Sequence, residues 1–197
     1  MNAAIEQQRP IRLGWIAALL VLAIGYRVFA AGSTDLANTS PLMAMCFGGG
    51  LLLGLRFCWI PALLIVASDL VLGWTNGIGP GSYTVLTAVS FTLAGFAGAW
   101  IGKKRGSWPV MWFGTMIGSI VFYLAANTWS WAGSPVYAQT LAGWWQSQTI
   151  GIPGFPPSLL FLRNALVGDT IWCLVAAPLF FWKPLAVPKM ASAEMAG

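Results

Sequence analysis

The sequence predicts an all-α, polytopic membrane protein, a single domain of six transmembrane helices resembling no soluble class, and three observations carry that prediction. Hydrophobic residues fill 58% of the 197 positions and charged residues only 8%, whereas a soluble domain carries roughly 25% charged residues. Mean hydropathy is +0.75. Six apolar stretches recur near the length of about 20 residues that crosses the hydrocarbon core, and basic residues stand in ones, twos and threes at alternate junctions between them.

The apolar stretches run at about 13–31, 41–55, 59–74, 83–101, 109–126 and 159–182. The opening MNAAIEQQRPIRLGW is charged and lacks a small-residue cleavage pattern before the apolar run, so it reads as the start of a retained first helix. The second and third stretches are short for ~30 Å of hydrocarbon, which points to little tilt or to a place beside a cavity.

Orientation follows from charge. Arg9 and Arg12, Arg56, the Lys103-Lys104-Arg105 run, and Lys183 and Lys189 all fall on one side of a six-helix thread. The opposite connections, 32–40, 75–82 and 127–157, hold no Lys or Arg and only Asp35 as an acid. By the positive-inside rule both termini are cytoplasmic, in a bacterial-type inner membrane. The net charge of +5 therefore reports topology, and no nucleic-acid partner is expected.

Composition also excludes chemistries. Histidine is absent and the three cysteines form no CxxC pair, which removes the common zinc sites and every histidine-based triad. Cys46, Cys58 and Cys173 read as buried, inert thiols. No phosphate loop, nucleophile elbow or paired-carboxylate motif is present. Any metal is left unassigned.

Four ionisable residues fall inside the apolar stretches: Arg27, Asp69, Arg163 and Asp169. Each costs at least ~2.5 kcal/mol in the membrane interior and so requires a partner or a purpose. Arg27, Asp69 and Arg163 share the outer level. Asp169, six residues past Arg163, lies about 9 Å deeper on another face, so a direct pair within that helix is not expected. Arg27 and Asp169 are assigned to structural ion pairs; for Asp69 a pair and a ligand site weigh about equally.

The outer loop 127–157 is long, uncharged and aromatic, with Trp129, Trp131, Tyr137, Trp144 and Trp145. It reads either as an aromatic belt or as a lid over an outward pocket, and 138–148 within it as a short interfacial helix. Asn127 either caps the fifth helix or holds a ligand. Ser40-Pro41 reads as N-cap and first helical residue, and Gly48-Gly49-Gly50 as a site of close helix packing.

The order of Arg27, Asn38-Thr39-Ser40-Pro41-Leu42, Ser68-Asp69-Leu70, Tyr83, Gly118-Ser119, Asn127-Thr128, Trp131, Tyr137, Arg163-Asn164 and Gly168-Asp169 resembles an uncharacterised bacterial family of small membrane proteins. That family in turn is similar to the substrate-binding S components of energy-coupling-factor (ECF) vitamin transporters. The resemblance implies an S-component-like fold with a pocket open to the outside, closed by the loops after helices 1, 3 and 5. It places substrate binding on Asn38, Asp69, Tyr83, Asn127, Trp129, Trp131, Tyr137, Arg163 and Asn164. It implies uptake of a vitamin-sized solute, with cobalamin or a related corrinoid as the expected substrate, the bilayer as surroundings and an ECF coupling module as a partner. A solitary relative uses a cysteine in the loop after helix 3 for decyanation; Thr75 to Ser82 has none. Docking through small residues would fall on Gly14 and Ala18. A membrane enzyme acting on a lipid or corrinoid, or a scaffold subunit, are the alternative readings.

Overall fold

The computed structural model describes residues 13–30, 33–55, 58–77, 79–104 and 106–181. The topology charges Arg9, Arg12, Arg56, Arg105, Lys183 and Lys189 lie outside the described residues, and Gly14 and Ala18 lie where no side chains are described. Among the described residues there are seven helices and no strands: α1 Leu13–Ala30, α2 Leu42–Leu53, α3 Ile60–Asn76, α4 Ser82–Gly102, α5 Trp108–Gly133, α6 Leu141–Gln148 and α7 Ser158–Phe180. Three of them, α4, α5 and α7, are long and apolar enough to cross a membrane.

Local chemistry sets the ends. Proline occupies the first turns of α3 and α5, where its missing N–H is no loss. Gly77 closes α3 in the left-handed conformation at φ 71°, its N–H bonded to the Leu72 carbonyl. Thr140 caps α6, its hydroxyl accepting from the Gly143 N–H at 3.2 Å.

Most helix ends fall within one or two residues of the expected ones, and two differences bear on the site. Pro41 itself is the N-cap of α2, one residue later than expected, and the cap makes no side-chain hydrogen bond. Helix α5 continues seven residues past 126, so the stretch 127–133 is helical and not loop. A run with Asn127, Thr128 and Ser130 looks like a helix exit, but α5 is anchored there by α6, which packs along it.

Helix α2 is the centre of the molecule. Eight of its twelve residues are buried, and it packs most extensively on α4 and also against α5 and α7. The α2/α4 contact is backbone to backbone. A Cβ at Gly50 would stand 2.0 Å from the Gly95 carbonyl oxygen, at Gly98 2.2 Å from that of Phe47, and at Gly102 2.3 Å from that of Leu51. Small residues permit this approach where no hydrophobic drive separates helix from lipid. Gly50 takes part, as the triple-glycine reading expects, whereas Gly49 has nothing within 4 Å.

Leu42, Met43, Cys46, Ile65 and Phe91 form one buried cluster; Ala44, Phe47, Leu51, Met111 and Cys173 form the other. The outward faces of the long helices carry exposed Val85, Leu93, Trp100, Phe113, Ile117, Val167 and Leu174. Such surfaces have the lipid-facing character that the composition demands. All three cysteines are free and buried.

Candidate functional site

A cavity of about 350 Å³ lies between α2, α4, α5, α7 and the segment 33–40. Helix α5 gives it one face: Ser119, Phe122, Tyr123, Ala126, Asn127 and Ser130 follow the i, i+3, i+4 spacing of a single stripe. Helix α7 faces it with Phe161, Ala165 and Asp169, and α4 with Tyr83 and Phe91. Asn38, Ser40 and Met43 close the remaining side.

Asp169 is the only ionisable carboxyl on this wall and is 2% exposed. Its Oδ2 accepts a hydrogen bond from the Ser119 hydroxyl. The backbone N–H of Ala44 also interacts with it; this amide belongs to the first turn of α2, where N–H groups lack intrahelical partners. No described Lys or Arg forms an ion pair with Asp169; the one ion pair among the described residues joins Arg27 to Asp69. Among the described residues Asp169 thus sits in the cavity and in no ion pair, where the sequence predicts a structural pair.

Asp69 has the reverse placement. It is buried and its carboxylate accepts from Arg27 Nη1 at 2.5 Å and from the Thr84 hydroxyl. Arg27 also donates to Ser68 Oγ, whose hydroxyl donates onward to the Ile65 carbonyl at 2.9 Å. These bonds tie α1, α3 and α4 together beside the cavity, and Asp69 does not line it. Arg27 and Asp69 form an ion pair.

Of the nine residues assigned to binding, the fold brings Asn38, Tyr83 and Asn127 to the cavity. Asn38 adopts φ 64°, a conformation asparagine tolerates better than most residues. Asn127 donates to the Tyr123 carbonyl one turn earlier at 2.9 Å, so it bonds within α5 instead of capping its end. Trp129 is 48% exposed. Trp131 donates its indole N–H to the Ala138 carbonyl at 2.9 Å, folding the turn after α5 back on the helix, and Tyr137 is buried in that turn. Its burial pushes the phenol above the usual tyrosine range.

Arg163 is exposed and donates to the side-chain oxygen of Asn164 at 3.0 Å. Asn164 in turn donates to the Thr34 and Asp35 carbonyls at 3.3 and 3.0 Å. Four and eight residues on, Gly168 meets the Thr39 backbone and Trp172 donates to the Thr39 carbonyl at 2.8 Å. Asn164, Gly168 and Trp172 form one stripe of α7 that clasps the segment 34–39 and thereby fixes the side of the cavity carrying Asn38 and Ser40.

The cover above α5 is α6. Trp144 and Gln148 both donate to Thr128 Oγ1, at 3.0 and 3.2 Å, and the hydroxyl of cavity-lining Tyr123 donates to the Gln148 carbonyl. Trp145 on the same helix is 62% exposed.

Ser40, Phe91, Ser119, Phe122, Tyr123, Ser130 and Phe161 join the site without being expected there from the sequence. A signal for α5 existed: Ser119, Tyr123, Asn127 and Ser130 make a polar stripe on an otherwise apolar helix. Among the described residues there is no group of three side chains able to hold a metal ion.

Residues 7–190 match the family described as Family of unknown function (DUF6580). The chain belongs to this family. In this DUF6580 member the match spans every described helix and therefore the whole cavity. No curated protein and no solved structure matches the chain.

Proposed function

We propose that the protein is a membrane-embedded binding and uptake protein for a compact, vitamin-sized solute. The observation that carries this reading is the cavity of about 350 Å³ whose wall combines aromatic rings with hydroxyls, amides and one carboxyl, deep among apolar helices. Ligand sites range over roughly 300–1,000 Å³ and pair mostly apolar walls with a few convergent polar groups. Polar groups at this depth are costly in the absence of a function.

In this reading the chain crosses a bacterial inner membrane six times with both termini inside, and α6 lies flat at the outer surface. Helix α2, about 18 Å long at 1.5 Å per residue, spans only part of the hydrocarbon, and the segment 33–40 completes its pass. Irregular backbone at membrane depth is tolerated where it is packed on protein or lines a cavity. Asn38, Tyr83 and Asn127 then mark the outward end, next to the three loops that lack Lys and Arg. The architecture expected from the ECF S components, and a coupling module as energy source, belong to the same proposal.

The volume narrows the substrate. A cavity at the lower end of the range for ligand sites suits a small vitamin or a similar compact molecule, and favours such a solute over one as large as cobalamin.

Native mass spectrometry of the protein released from its own membranes tests the reading. A small molecule should remain bound to the wild type and be lost from Ala165→Trp, which fills the cavity from α7. Equal retention by the two proteins would place binding elsewhere and overturn the proposal.

A further inference from the structure

We infer that the cavity selects a positively charged organic solute, a compact protonated or quaternary amine whose nitrogen sits between Asp169 and the aromatic wall. This deepens the proposed binding function and rests on it.

The wall is unusual in holding one carboxyl and no cationic side chain. Asp169 is a buried carboxyl on the cavity, and no cationic side chain among the described residues pairs with it. The two described arginines within the helices are committed elsewhere: Arg27 to Asp69 and Ser68, Arg163 to Asn164 on an exposed face. Asp169 is hydrogen-bonded by the Ser119 hydroxyl and the Ala44 amide at the start of α2, and its other close neighbours include the thiols of Cys46 and Cys173. A hydroxyl is neutral, and a helix start supplies only about +0.5 of a charge. An ionised Asp169 keeps a net negative charge that a cationic ligand would neutralise.

The rings supply the second half of the recognition. Phe122 stands edge-on to Phe91 with centroids 5.0 Å apart and approaches Tyr83 at 6.5 Å, and all three line the cavity together with Tyr123 and Phe161. Aromatic faces attract ammonium groups, most strongly where water is excluded. A carboxylate with several rings and no competing Lys or Arg is the chemistry that recognises an organic ammonium ion. An anionic solute would meet Asp169 with nothing to offset it.

Three matched probes test this on the purified full chain in detergent, with calorimetry against empty micelles as reference: benzyltrimethylammonium, uncharged benzyl alcohol and anionic phenylacetate. The cation should bind about tenfold more tightly than either of the others, and Asp169→Asn should remove that preference. Phe122→Leu, which keeps the carboxyl, should reduce it severalfold and serves if the aspartate variant does not fold. If the three probes bind alike, or the anion binds best, the cavity remains a solute site and the charge inference fails. If none binds, the inference fails as well, and the native mass spectrometry decides separately whether the cavity holds any solute.

Discussion

Arg27 Nη1 lies 2.5 Å from Asp69 Oδ1, joining α1 to α3, and the other oxygen of the same carboxylate is taken by Thr84 of α4. A single carboxyl thereby fixes three helices. Removing the arginine alone leaves a buried charge with only the Thr84 hydroxyl as partner, so Arg27→Met should destabilise by about 3–5 kcal/mol. Thermal unfolding in detergent would read this as a lowered midpoint, and Asp69→Asn in the same chain should recover part of the loss. Full stability in the single variant would show that the pair is unimportant.

The α2/α4 contact predicts a contrast between two glycines. Gly98→Ala places a Cβ 2.2 Å from the Phe47 carbonyl oxygen, and overpacking of this kind costs about 1–3 kcal/mol. Gly49→Ala meets nothing within 4 Å and replaces a poor helix former by the best, which should leave stability equal or raised by up to about 1 kcal/mol. Unfolding of the two variants side by side checks the ordering.

Loss of the clasp on α7 should be local. Asn164→Ala removes two hydrogen bonds to the carbonyls of Thr34 and Asp35, each worth about 1 kcal/mol. Hydrogen exchange of the amides between 34 and 40 should accelerate, while those of α4 and α5 stay protected. Since Asn38 and Ser40 line the cavity, solute affinity should fall with the same substitution.

Tyr123 links the cavity to its cover. Tyr123→Phe retains the ring on the cavity wall but gives up the bond to the Gln148 carbonyl, at a cost of about 1–2 kcal/mol for the carbonyl left without its donor. Protease cleavage between 134 and 157 should become faster and the global unfolding temperature should change little. An unchanged cleavage rate would mean that the bonds from Trp144 and Gln148 to Thr128 suffice to hold α6.

Much of the helical framework was legible because it depends on runs of residues. The apolar stretches around 83–101 and 159–182 differ from α4 and α7 by one or two residues at their described ends, since length and hydropathy report the solvent that a helix must face. The short helix expected within 138–148 is α6, where Thr140 and the residues after it carry a local capping signal. The end of α5 was not legible, because the residues that resemble an exit are used inside the fold: Asn127 bonds back within α5 and the Thr128 hydroxyl accepts from α6, a contact that no local pattern contains.

The site divides along the same line. The order of residues alone places four ionisable side chains within apolar stretches, Asp69 and Arg27 at a common level, and Tyr83 and Asn127 near the same side. Which carboxyl holds helices together and which is left in the cavity follows from the packing. Arg27 reaches Asp69 because α1 packs on α3, while Asp169 faces Ser119 because α7 packs on α5. A residue's composition and depth fix the cost of burying its charge; the neighbour that meets the charge is set by which helices touch, and that depends on glycines and loops far away in the chain.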